Sequence, residues 1–68
     1  MTNLNVAVIC KWIQNGDVTA LKDNYKTIVK SGKLKHPYVI TVLIMCRPMA
    51  GSGEDELRAF YGKLLGEE

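Results

Sequence analysis

The apolar residues of this chain fall into four runs separated by short polar stretches, and one run differs from the others. Residues 37–47 read P-Y-V-I-T-V-L-I-M-C-R, apolar on every side except at Thr41. A segment without a polar face is expected to lie inside, with the rest of the chain packed around it. Its β-branched content would suit a strand buried on both faces. Only residues 4–13 could pair with it, however, and two strands make a poor sheet. A central helix uses the same residues more economically. Pro37 stands where a helix tolerates it, at the first position, and Arg47-Pro48 ends the element because Pro disfavours helical backbone in the residue before it.

Residues 4–14 carry two stripes at helical spacing. Val6, Ile9, Cys10 and Ile13 form one, and Leu4, Val8 and Trp12 the other. The same stretch also alternates at period two, as a strand would, but its unbroken length favours a helix, with Thr2 or Asn3 as its N-cap. Asn15-Gly16 closes it. Asp17 then caps an amphipathic helix whose apolar positions are Val18, Leu21, Tyr25, Ile28 and Val29, and which runs to Ser31-Gly32. Ser52 precedes a fourth helix with Asp and Glu in its first turn and a stripe of Leu57, Phe60, Tyr61, Leu64 and Leu65. Gly62 inside it costs about 1 kcal/mol relative to Ala and reads as a surface position, with a close helix crossing as the alternative. Tyr38 and Tyr61 are expected at the core margin, where a hydroxyl reaches water or a partner. Residues 1–3 and 67–68 read as frayed ends. The expected fold is all-α, a compact bundle of four short helices in one small domain spanning residues 1–68. The alternative is α+β, with residues 4–13 and 38–46 as a two-stranded pair.

Size limits what such a domain can do. A chain of 68 residues buries only about 60% of the surface its unfolded form exposes, so it has little stability to spare. The two cysteines, Cys10 and Cys46, lie in apolar runs and read as small buried hydrophobes. With one histidine, His36, they fall short of a structural zinc site, and no cofactor is expected. The N-terminus lacks the basic segment and cleavage site of a signal peptide, and the apolar stretch 38–46 is far shorter than the roughly 20 residues that span a bilayer. A cytoplasmic protein that does not enter a membrane is therefore expected.

Charge is unevenly placed. Residues 1–53 hold seven cations against two acids, whereas residues 54–68 hold two cations against five acids. Lys22, Lys26 and Lys30 recur at i+4 along the second helix, and Lys33 and Lys35 extend the positive region. A solvated helix face accounts for such a ladder. So does an anionic partner: an acidic protein, nucleic-acid phosphates, or the chain's own C-terminal acids. Only Arg47 and Arg58 could read base edges in bidentate fashion, and a helix-turn-helix would need a polar recognition helix where residues 37–46 are apolar.

No catalytic constellation stands out. His36 has no nucleophile or carboxylate near it in sequence, and G-S-G at residues 51–53 lacks a phosphate-loop pattern. The apolar supply exceeds what so short a chain can bury, which leaves a surface patch drawn from Leu4, Val8 and Trp12, or from Met45 and Met49. The expected function is non-enzymatic: a small adaptor, inhibitor or regulator that binds an acidic protein partner through an apolar patch bordered by lysines. The residues assigned to it are Trp12, Lys22, Lys26, Lys30, Lys33, Lys35 and Met49. Homodimerisation through the patch is one form this takes. The alternative is a nucleic-acid-associated protein whose Lys22/Lys26/Lys30 face contacts phosphates.

Overall fold

A computed structural model describes residues 4–66. Residues 1–3 and 67–68 lie outside that range, and with them the expected frayed ends and the caps Thr2 and Asn3. The described residues form an all-α bundle, 71% helical and without strands. Five helices follow one another: α1 (Val6–Asn15), α2 (Val18–Asp23), α3 (Tyr25–Ser31), α4 (Pro37–Met45) and α5 (Asp55–Leu64), with a 3-10 turn at Lys33–Lys35 before α4. The radius of gyration is 11.2 Å, close to the roughly 11 Å expected of a folded chain this long.

The caps explain most boundaries. Helix α1 starts later than expected: Asn5, not Thr2 or Asn3, is its N-cap, with Oδ1 accepting the Val8 N–H at 2.9 Å. At the other end Gly16 adopts φ +65°, and its N–H donates to the Ile13 carbonyl at 3.1 Å. A Cβ at Gly16 would meet nothing within 4 Å, so any penalty there is purely one of backbone conformation. Gly16→Ala is therefore expected to cost about 1 kcal/mol, read from urea denaturation; an unchanged midpoint would show that the turn does not need the left-handed conformation. Asp17 Oδ1 caps α2 through the Ala20 N–H, as expected. His36 caps α4, its Nδ1 accepting the Tyr38 N–H at 3.2 Å, with Pro37 in the first turn.

Two further expectations about boundaries are corrected. The helix expected over residues 18–31 is interrupted at Asn24, where φ is −106° and ψ 8°. Asn24 Nδ2 donates to the Ala20 carbonyl at 2.8 Å, the same oxygen that accepts the Asn24 backbone N–H at 3.1 Å. An Asn side chain that competes for a helix carbonyl in this way bends the chain. The Ile28 N–H still reaches the Asn24 carbonyl, so the apolar stripe carries through the bend. Ser52 does not cap α5. Its Oγ accepts the Glu54 N–H at 3.4 Å, and α5 starts at Asp55 with no side-chain cap.

The core consists of Ile9, Cys10 and Ile13 from α1, Leu21, Ile28, then Val39, Val42 and Leu43 from α4, and Tyr61 and Leu64 from α5. Helix α1 lies along α4 and touches α2, which follows from the Ile9, Cys10 and Ile13 stripe. Helix α5 is held largely by its side chains. Tyr61 is buried, and its hydroxyl donates to the Ile13 carbonyl at 2.7 Å; Phe60 meets Tyr25 with ring centroids 6.2 Å apart. Tyr61, expected at the core margin, is thus one of the largest core side chains. Its ring packs inside, and its polar end finds a carbonyl at the end of α1. Gly62 is also buried, a position inside the bundle rather than on its surface.

The largest correction concerns α4. Only its Val39, Val42 and Leu43 side is buried. The opposite side faces solvent: Tyr38 is 58% exposed, Ile44 61% and Met45 77%. The other four short helices do not enclose α4 on every side, so the most apolar helix becomes one wall of the bundle. The surplus patch falls at Met45 and Met49, both open to solvent, while Leu4 and Trp12 are half-buried against the core and Val8 is half-buried.

Candidate functional site

The lysine ladder does not form one continuous stripe. Lys22 belongs to α2, before the bend, while Lys26 and Lys30 belong to α3. The Lys22 ammonium lies 3.3 Å from Glu56 Oε1 and 5.8 Å from the centroid of the Phe60 ring. Half of the Lys22 side chain and 91% of Glu56 are exposed, so the pair adds less than about 1 kcal/mol. It nonetheless turns Lys22 toward the chain's own acidic helix, one of the anionic partners the sequence allows. Lys26 and Lys30 line a shallow hollow on α3 together with Thr27 and Ser31. Lys33 is half-buried in the 3-10 turn.

A second concavity gathers residues that no single stretch of sequence holds. A groove of about 450 Å³ runs between α3, the 3-10 turn, α4 and the end of α5. Its apolar lining comes from Tyr25, Val29, Leu34, Ile40, Leu64 and Leu65, and Lys35 and Lys63 also line it. The Lys63 ammonium sits 5.0 Å from the centroid of the Tyr25 ring, within reach of a cation–π attraction. No carboxylate lines the groove among the described residues. An apolar floor with two ammonium groups and no acid favours an amphipathic ligand that carries negative charge.

Of the residues assigned from sequence, the groove collects Lys35 alone. Trp12 is half-buried on α1, and Met49 stands exposed in the loop before α5. Lys22, Lys26 and Lys30 do not line the groove. Sequence reasoning missed Lys63, which looked like an ordinary last-turn lysine, and Val29, which belongs to the apolar stripe but is 47% exposed. Leu34 offered a signal: it stands between two lysines in K-L-K, an apolar side chain inside a basic connector.

The groups able to do chemistry are few. Cys10 and Cys46 are both free thiols. Burial raises Cys10 above the ordinary thiol range, and the neighbouring Cys46 raises it further, which is the opposite of nucleophile activation. His36 spends one ring nitrogen on the cap of α4. Among the described residues, no group of three or more His, Cys, Asp or Glu side chains could hold a metal ion, and no helix is long and apolar enough to cross a membrane. No family model matches the chain, and no curated protein or solved structure shows significant similarity to it. The fold and surface define a small helical bundle with an apolar groove edged by lysines.

Proposed function

We propose that this protein is a small, cytoplasmic, non-enzymatic adaptor or regulator that acts by binding a partner protein in the groove between α3, α4 and α5. The observation that carries this reading is the combination of an apolar lining from Val29, Leu34, Ile40 and Leu65 with Lys35 and Lys63 in one concavity. An amphipathic helix with acidic flanks fits that chemistry, its apolar face in the groove and its carboxylates toward the two ammonium groups. Burial supplies affinity, and the lysines set orientation and speed encounter. Two free thiols suit a reducing compartment.

The probe for this reading is a labelled helical peptide with leucines at i, i+3, i+4 and i+7 flanked by glutamates, followed by fluorescence anisotropy. Binding is expected, with only mild weakening as salt rises. Lys35→Glu combined with Lys63→Glu is expected to weaken it by roughly tenfold to thirtyfold, since each rim charge contributes up to about 1 kcal/mol. Val29→Asp, on a partly exposed side chain, should remove it with helicity unchanged. A nucleic-acid role for Lys22, Lys26 and Lys30 makes a different forecast: duplex DNA bound with a steep salt dependence, near one logarithmic unit per phosphate contact. DNA binding of that kind without peptide binding would overturn the proposal.

A further inference from the structure

We propose that the solvent-facing side of α4 is a self-association surface, on which two copies of the chain pack antiparallel about a two-fold axis. This surface is separate from the groove. Its stripe is Tyr38, Thr41 and Met45, at i, i+3 and i+7, with Ile44 alongside. All four are exposed.

The occupant follows from charge, polar satisfaction, shape and area. Residues 37–46 contain no acid and no basic side chain, so two copies of a chain with net charge +2 meet here without like charges in contact. The polar atom in the middle of the stripe already has a partner. The Thr41 hydroxyl donates to the Pro37 carbonyl at 2.9 Å, so covering it strands no donor. The stripe alternates large, small, large. In an antiparallel pair centred near Thr41, the two threonines face each other near the axis. Tyr38 of each copy then covers Met45 of the other, a sulfur–aromatic pairing that an adaptable methionine makes readily. Self-complementarity of this kind is what a two-fold contact requires, and antiparallel helix dipoles favour it. The side chains offer roughly 500 Å² per copy, or about 1,000 Å² in a dimer, near the lower limit for a specific interface. A modest, concentration-dependent dimer is therefore expected. It would add stability that so short a chain lacks.

Sedimentation equilibrium of the full chain, from low micromolar to near millimolar, tests this directly. The weight-average mass is expected to rise from 7.6 kDa toward twice that value. Met45→Lys places two uncompensated ammonium groups in the contact and is expected to weaken the dimer roughly a hundredfold, with helicity unchanged because the side chain is exposed. Adding Tyr38→Glu to Met45→Lys sets opposite charges against each other across the axis, and association should return, now weakened by salt. Val29→Asp in the groove should leave the mass curve unaltered. A chain that stays monomeric near millimolar concentration would overturn the proposal. So would an association that Met45→Lys does not weaken, since that would place the contact elsewhere.

Discussion

Leu43→Ala is expected to lower the free energy of unfolding by about 3 kcal/mol, whereas Met45→Ala, two positions along the same helix, changes it by less than about 0.5 kcal/mol. The contrast arises because α4 is apolar all round but buried on one side only. Leu43 is fully buried in the core, while Met45 is 77% exposed. Truncating Leu43 removes transfer free energy and leaves a cavity that short, capped helices cannot close. A domain of this size has a total stability on the order of 5 kcal/mol, so the loss takes most of it. The measurement is urea denaturation followed by circular dichroism, at low micromolar protein so that self-association does not contribute. With a slope near 1 kcal/mol per molar, the midpoint should fall by about 3 M for Leu43→Ala. Equal losses from the two substitutions would mean that α4 is enclosed on both sides.

That experiment also separates what the sequence makes legible from what it does not. Helix α1 offered two apolar stripes, and packing chose between them: Ile9, Cys10 and Ile13 are buried, while Leu4, Val8 and Trp12 stay half-buried. Helix α4 could not be oriented even that far. A uniformly apolar segment has no polar arc to say which side meets water, so burial on every side looked equally good. The bend at Asn24 was hidden for another reason. The apolar stripe continues through it, and the only trace is an Asn whose side chain competes for the Ala20 carbonyl. Tyr61 sits at a core-facing position, yet its hydroxyl pointed to the margin until the Ile13 carbonyl supplied a buried acceptor. The groove was least visible of all. Tyr25, Leu34, Ile40 and Lys63 come from four elements, and only tertiary packing brings them together.

The hydrogen bond of Tyr61 leads to the second large effect, loss of stability in alkali. Two buried acids are held above their ordinary values. Burial raises Tyr61, with smaller contributions from Cys46 and Glu54, and burial followed by the Cys46 charge raises Cys10. Both groups are neutral when protonated, so burial penalises the anion. Once the pH passes the unfolded-state values, 9.0 for Cys and 10.0 for Tyr, the unfolded chain has released protons that the native chain still holds. Fewer protons are then bound in the unfolded state than in the native one, and unfolding becomes easier as pH rises. The contribution is fully present below about pH 9 and is lost progressively above it, until each folded-state value is passed. Titrating the urea midpoint from pH 7 upward should show a plateau and then a decline. Cys10→Ala should remove the early part of that decline, and Tyr61→Phe the later part. Tyr61→Phe also costs about 1 kcal/mol at neutral pH through the lost hydrogen bond. It costs no more than that because the Ile13 carbonyl keeps the Gly16 N–H as a partner. A decline of the same steepness in the Cys10→Ala, Tyr61→Phe double variant would mean that neither buried acid is its source.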